Sequence, residues 1–139
     1  MDKKVSAGKT AGIIFCILAG ICTVVLLFMD VYFSGQMKTI DKFWTSVARD
    51  DLNGCKSCLS AELAEKLTEH DFEAEKERFQ ILLDGENVKT SVTFVDRNKM
   101  SDNSYSICVD LTIYNDDANV TERTYYFLVR EGMKWLITL

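Results

Sequence analysis

Residues 104–129, SYSICVDLTIYNDDANVTERTYYFLV, decide the fold. Ile107, Val109, Leu111 and Ile113 alternate with Ser106, Cys108, Asp110 and Thr112. A period of two with one apolar series is a half-buried strand. Asn115-Asp116-Asp117 is a turn signal, and beyond it Arg123, Tyr125, Phe127 and Val129 alternate with Thr124, Tyr126 and Leu128. Upstream, Val88, Thr90, Val92 and Phe94 alternate with Lys89, Ser91 and Thr93, and Asn98 to Asn103 reads as the intervening turn. Downstream, Glu131-Gly132 turns the chain into Met133 to Leu139, with Trp135, Ile137 and Leu139 on one side. Connections this short join antiparallel neighbours, so the second half is a four-stranded meander.

The period before residue 88 is helical. Residues 34–53 carry Ile40, Phe43, Trp44 and Val47 at i, i+3, i+4, i+7, with Asn53-Gly54 as the expected stop. A second helix is expected over 55–69, with Cys58 or Leu59, Leu63 and Leu67 inward. Thr68 to Asp71 has capping-box spacing with Asp in place of Glu, and it opens a third helix that runs to about 84. Phe72, Phe79, Leu82 and Leu83 mark that helix's apolar side. Its charged run, Glu73 to Arg78, is read as a solvated face. Three helices on one face of a four-stranded antiparallel sheet make an α+β domain over residues 34–139.

Ala11 to Met29 is a run without a charge, AGIIFCILAGICTVVLLFM. Its length, roughly 28 Å as a helix, matches a hydrocarbon core. A cleaved signal peptide would need a shorter apolar region and a small-x-small site, which Asp30-Val31-Tyr32-Phe33 does not offer. Ala19-Gly20-Ile21-Cys22 is a poor lipobox because Ile21 precedes the Cys. Residues 10–33 are therefore expected to be a transmembrane helix. Lys3, Lys4 and Lys9 precede it, and Lys38 is the first base after it. By the positive-inside rule residues 1–9 are cytoplasmic and 34–139 extracytoplasmic. Gly12, Cys16 and Gly20 recur every four residues, a small-residue stripe that would let two such helices approach and form a homo-oligomer.

The pattern resembles the nuclear-transport-factor-2-like, or cystatin-like, superfamily. The residues that carry the likeness are Phe43-Trp44, the Leu59 to Leu63 Leu-Ser-x-Glu-Leu step, the long strand pair, and the terminal Gly132, Lys134, Trp135 and Ile137. It is most similar to small membrane-anchored bacterial extracytoplasmic members, including lumazine-binding-like ones. The resemblance implies a cone-shaped sheet wrapped on helices. Its members use the cone or the outer sheet face to bind ligands or proteins, and some place an Asp, His or Tyr inside the cone for catalysis.

The chemistry expected here is binding. Acid–base catalysis needs two positioned groups with tuned pKa values. His70 is the only histidine and sits at a helix junction, and Asp110 alternates out of phase with Val109 and Leu111, so it should face water. No catalytic residue, cofactor or metal is assigned. Cys55-Lys56-Ser57-Cys58 lacks the βαβ setting of a redox motif and two further zinc ligands, so a structural disulfide is its expected use, either Cys55–Cys58 or a link to Cys108. Residues 30–139 hold 20 acids and 13 bases, a balance against nucleic acid as partner. The expected function is a single-pass, membrane-anchored, non-catalytic module that binds a protein or small apolar ligand outside the membrane. The alternative is a structural scaffold component of a membrane secretion or conjugation assembly.

Overall fold

The alternation of residues 88–139 becomes a four-stranded antiparallel sheet in the computed structural model, which describes residues 20–22, 35–83 and 87–139. The strands are β1 (Lys89–Ser101), β2 (Ser104–Tyr114), β3 (Asn119–Glu131) and β4 (Lys134–Thr138), ordered β1-β2-β3-β4. Ile107, Val109, Leu111 and Ile113 are all buried and define the inner face. The β2–β3 register pairs Ile107 with Tyr126 and Tyr105 with Leu128, so Glu122, Thr124, Tyr126 and Leu128 share that inner face. The apolar series Tyr125, Phe127 and Val129 therefore turns outward. Both series on β3 carry aromatics, and the stronger pattern on β2 sets the register for both strands.

Asn98 to Asn103 is not all turn. β1 pairs as far as Ser101, and only Asp102 and Asn103 turn the chain. A register shift between Phe94 and Asp96 is the cause. This bulge reverses the alternation, so Val92 and Phe94 before it and Arg97 and Lys99 after it share the inner face. A polar inner series hides the strand from a pattern search. At the other end Gly132 takes φ +61, the left-handed conformation that the β3–β4 hairpin requires.

Among the described residues from Gly35 on, four helices precede the sheet: α1 over 35–48, α2 (Leu52–Lys56), α3 (Ala61–Lys66) and α4 (Glu69–Leu83). α1 does not run to Asn53-Gly54. It ends in a Schellman motif, with Asp51 N–H donating to Ser46 O at 2.9 Å and Asp50 N–H to Val47 O at 3.2 Å. Asp50 takes the left-handed position at φ +61, a role Asp tolerates better than most residues. Asp51 then caps α2, accepting from Gly54 N–H at 2.8 Å. Gly54 lies inside α2, where an added Cβ would strike the Asp51 carboxylate and Ser46 hydroxyl.

The helix expected over 55–69 is interrupted. Leu59 forms a parallel bridge with Ile137. Ser60 N–H donates to Ile137 O and Ile137 N–H to Cys58 O, both at 2.8 Å. Residues 58–60 thus cover the edge of β4. Leu63 and Leu67 are only half-buried as a result, while Cys58 and Leu59 are buried. The capping box forms as read. Asp71 accepts from Thr68 N–H and hydroxyl, and Asp71 N–H donates back to Thr68 Oγ1 at 3.1 Å. Those bonds hold the Asp71 carboxyl below its ordinary pKa. α4 buries Phe72, Phe79 and Leu83, whereas Leu82 turns outward.

The chain divides into two units, Met1–Ser34 and Gly35–Leu139. In the first, residues 20–22 are helical and exposed. The rest of the expected span, Gly12 and Cys16 included, lies outside the described residues. Among the described residues no helix is long and apolar enough to cross a membrane.

Candidate binding surface

Two faces of the sheet could do chemistry, and packing treats them differently. On the inner face Trp44 from α1 and Phe79 from α4 lie with ring centroids 5.4 Å apart and an interplanar angle of 36°. Trp44 Nε1–H donates to the Tyr126 hydroxyl at 2.7 Å. Burial raises the Tyr126 pKa, while the bond from Trp44 opposes that rise. Ile40, Val47, Phe72, Ile107, Leu111 and Leu128 are buried as well. Aromatic side chains from α1, α4 and β3 therefore meet over the inner face. Arg78 fastens α4 to β3 at the side, with Nη1 2.8 and 3.0 Å from the two oxygens of Glu122 and Nε 2.9 Å from Glu75.

Gln36 is the residue the helical pattern passed over. It is fully buried, and among the described residues neither of its amide atoms has a hydrogen-bond partner. Its place was readable in principle, because it precedes Ile40 by four on the apolar stripe of α1. Polarity disguised it. Nearby, Arg97 stacks over the Tyr105 ring at 3.9 Å, and Tyr105 meets Trp135 edge-on at 5.5 Å.

The outer face is open. Tyr125 is 63% exposed and Phe127 44% exposed. Register places Cys108 across from Tyr125, Ser106 and Thr138 on either side of Phe127, and Leu136 across from Val129. Next to this apolar strip, Arg123 grips Asp110 with Nε–Oδ1 2.8 Å and Nη2–Oδ2 3.0 Å. The hydrogen bond from Arg123 holds the Asp110 carboxyl below its ordinary pKa. Asp110 thus lies on the face its phase indicated, as half of a bidentate ion pair. His70 is exposed in the first turn of α4. Among the described residues no three His, Cys, Asp or Glu side chains are gathered as a metal ion would need.

Cys55 and Cys58 are buried thiols in the structure. Cys55 Sγ donates to Phe43 O at 3.5 Å and Cys58 Sγ to Gly54 O at 3.4 Å. Cys108 is not close to Cys58. β3 and β4 lie between β2 and the Cys58–Ser60 edge, three strand spacings or roughly 14 Å, which is beyond the reach of a disulfide. Burial first, then the neighbouring Cys58 and Asp51, raises the Cys55 pKa from 9.0 to about 12. Burial also raises that of Cys58. Thiols held protonated in this way are poor nucleophiles.

The Cys55 shift has a sign that can be tested. Above pH 9.0 the unfolded chain releases the proton, while the folded chain keeps it until about 12. The unfolded state then binds fewer protons, so stability falls across that window and is fully present below it. The alkaline decline in melting temperature should be shallower in Cys55→Ala than in the unsubstituted protein. Parallel declines would show that this thiol is no more protected in the fold than out of it.

No protein-family model matches this chain, and no curated protein matches it. Among solved structures it is similar to an NTF-2-like protein of unknown function from Shewanella oneidensis MR-1. The identity is 10%, over 73% of this chain and 89% of that chain, with a TM-score of 0.46.

Proposed function

We propose that this protein is a single-pass membrane protein whose residues 34–139 form an extracytoplasmic, non-catalytic module of the nuclear-transport-factor-2-like kind. It binds a protein partner on the outer face of its sheet. The observation that carries this reading is the exposure of Tyr125 and Phe127 side by side on a face lined by Val129 and Leu136. Water-exposed aromatics with a polar rim, here the Arg123–Asp110 pair, have the anatomy of a protein interface. A small apolar ligand is the weaker occupant, because Trp44, Phe79 and Tyr126 already meet over the inner face. The charge-free run from Ala11 to Met29 and the lysines ahead of it support the anchor and its direction.

The test uses the full chain in its own cells, with a photo-crosslinking phenylalanine analogue at Phe127 and, as a control, at solvent-facing Ile81. A partner linked from Phe127 and not from Ile81 is then purified. Its affinity for the reconstituted chain should fall at least tenfold with Tyr125→Ser and Phe127→Ser combined. Both side chains are exposed, so folding should survive. Unchanged affinity refutes the docking face. If the crosslinked species is a second copy of the chain, the scaffold reading replaces the partner reading. Protease added to intact cells or spheroplasts should degrade the C-terminal unit. Protection there refutes the extracytoplasmic placement.

A further inference from the structure

A cleft of about 310 Å3 opens between α1, the 57–58 segment and the β3–β4 hairpin. Lys38, Lys42 and Lys134 line it, and no carboxylate does. Acids stand close by, Glu131 across from Lys134 in the β3–β4 register and Asp41 next to Lys42 in the chain, but neither lines the cleft. Among the described residues none of the three lysines forms an ion pair; Lys42 donates to Ser57 Oγ at 2.8 Å. Met133, beside Lys134 at the hairpin tip, is 94% exposed. A bare apolar side chain flanked by lysines is the composition that settles at a headgroup–acyl boundary. The cleft also begins at Gly35, six residues after the last residue of the charge-free run.

We infer that this cleft holds the phosphates of anionic lipid headgroups in the bilayer that carries the N-terminal span, with Met133 dipping between them. The inference rests on the anchored reading above. Each ammonium donates to phosphate oxygens in charge-assisted hydrogen bonds. Three cations on one side of an otherwise acidic unit bring that side to the membrane and turn the acidic remainder away. One lysine near an anionic surface changes occupancy roughly fivefold. Lys134 stands on the outer-face side of β4 with Leu136, whereas Lys38 and Lys42 come from α1, so the cleft lies at the β4 edge and borders the docking face at Leu136.

The experiment follows acetylation of individual lysines by mass spectrometry. The full chain is reconstituted in nanodiscs of phosphatidylcholine alone or with phosphatidylglycerol. Lys38, Lys42 and Lys134 should react at least roughly fivefold more slowly with phosphatidylglycerol present, while Lys66 and Lys99 keep their rates. In a Lys38→Gln, Lys134→Gln chain the slowing of Lys42 should disappear. Equal rates in the two discs, or equal slowing of all lysines, overturns the inference and leaves the anchor standing. Millimolar inorganic phosphate added to phosphatidylcholine discs should not reproduce the slowing. If it does, the cleft is a site for a soluble anion and the lipid assignment fails. A chain that leaves the discs on gel filtration overturns the anchor and this inference together.

Discussion

Replacing Phe79 by alanine is expected to cost about 3–5 kcal/mol of folding stability, the range for removing a fully buried aromatic side chain. Phe79 is almost wholly buried, and its ring lies against Trp44. Deletion removes the transfer energy of the ring and also the partner against which Trp44 is held for its bond to Tyr126. The Arg78 guanidinium lies 5.5 Å from the ring centroid, and Phe79 also lines a surface hollow with Arg49, Asp50 and Lys76, so the space left behind should admit water rather than stay dry. Urea unfolding followed by tryptophan fluorescence measures the loss. A cost below about 1 kcal/mol would mean that the inner face is not packed as described, because truncation of an exposed side chain costs that little. An unfilled inner face would return the small-ligand reading to first place.

The same residues show what the sequence made legible. The apolar series Ile107 to Ile113 announced β2, and all four of its members are buried. Phe72 and Phe79 announced the core side of α4, and Thr68 and Asp71 its start. Each signal was local, with a period or a cap contained within one element. What escaped was decided between elements. Tyr125 and Phe127 look like core when β3 is read alone, and only pairing with β2 turns them outward. Arg97 and Lys99 look like loop until the bulge at Val95 reverses their side of the sheet. The lysine cleft draws on residues almost a hundred positions apart, Lys38 and Lys134, which no window on the chain can join. Function is less legible again, since the outer face is chemically ordinary and acquires meaning only from its exposure.

The second large effect comes from an element that no periodicity revealed. Ser60→Pro should destabilise the protein by about 1–3 kcal/mol, the cost of stripping a buried hydrogen bond and leaving its acceptor unpaired. Ser60 has φ −58, which proline adopts without strain. Leu59 is bridged to Ile137 and thus already extended, as a residue before proline must be. Among the described residues the Ser60 hydroxyl has no hydrogen-bond partner. The substitution removes the bond from Ser60 N–H to Ile137 O and sets the ring Cδ where that hydrogen pointed, so it also pushes the segment away from β4. Ser60→Ala keeps that bond and should be close to neutral. With the bridge weakened, β4 presents an unpaired edge, and exposed edges recruit other chains. Ser60→Pro should thus also scatter light at concentrations where Ser60→Ala stays clear. If the two variants melt together, the 58–60 segment merely lies beside β4, and the sheet edge is protected by some other means.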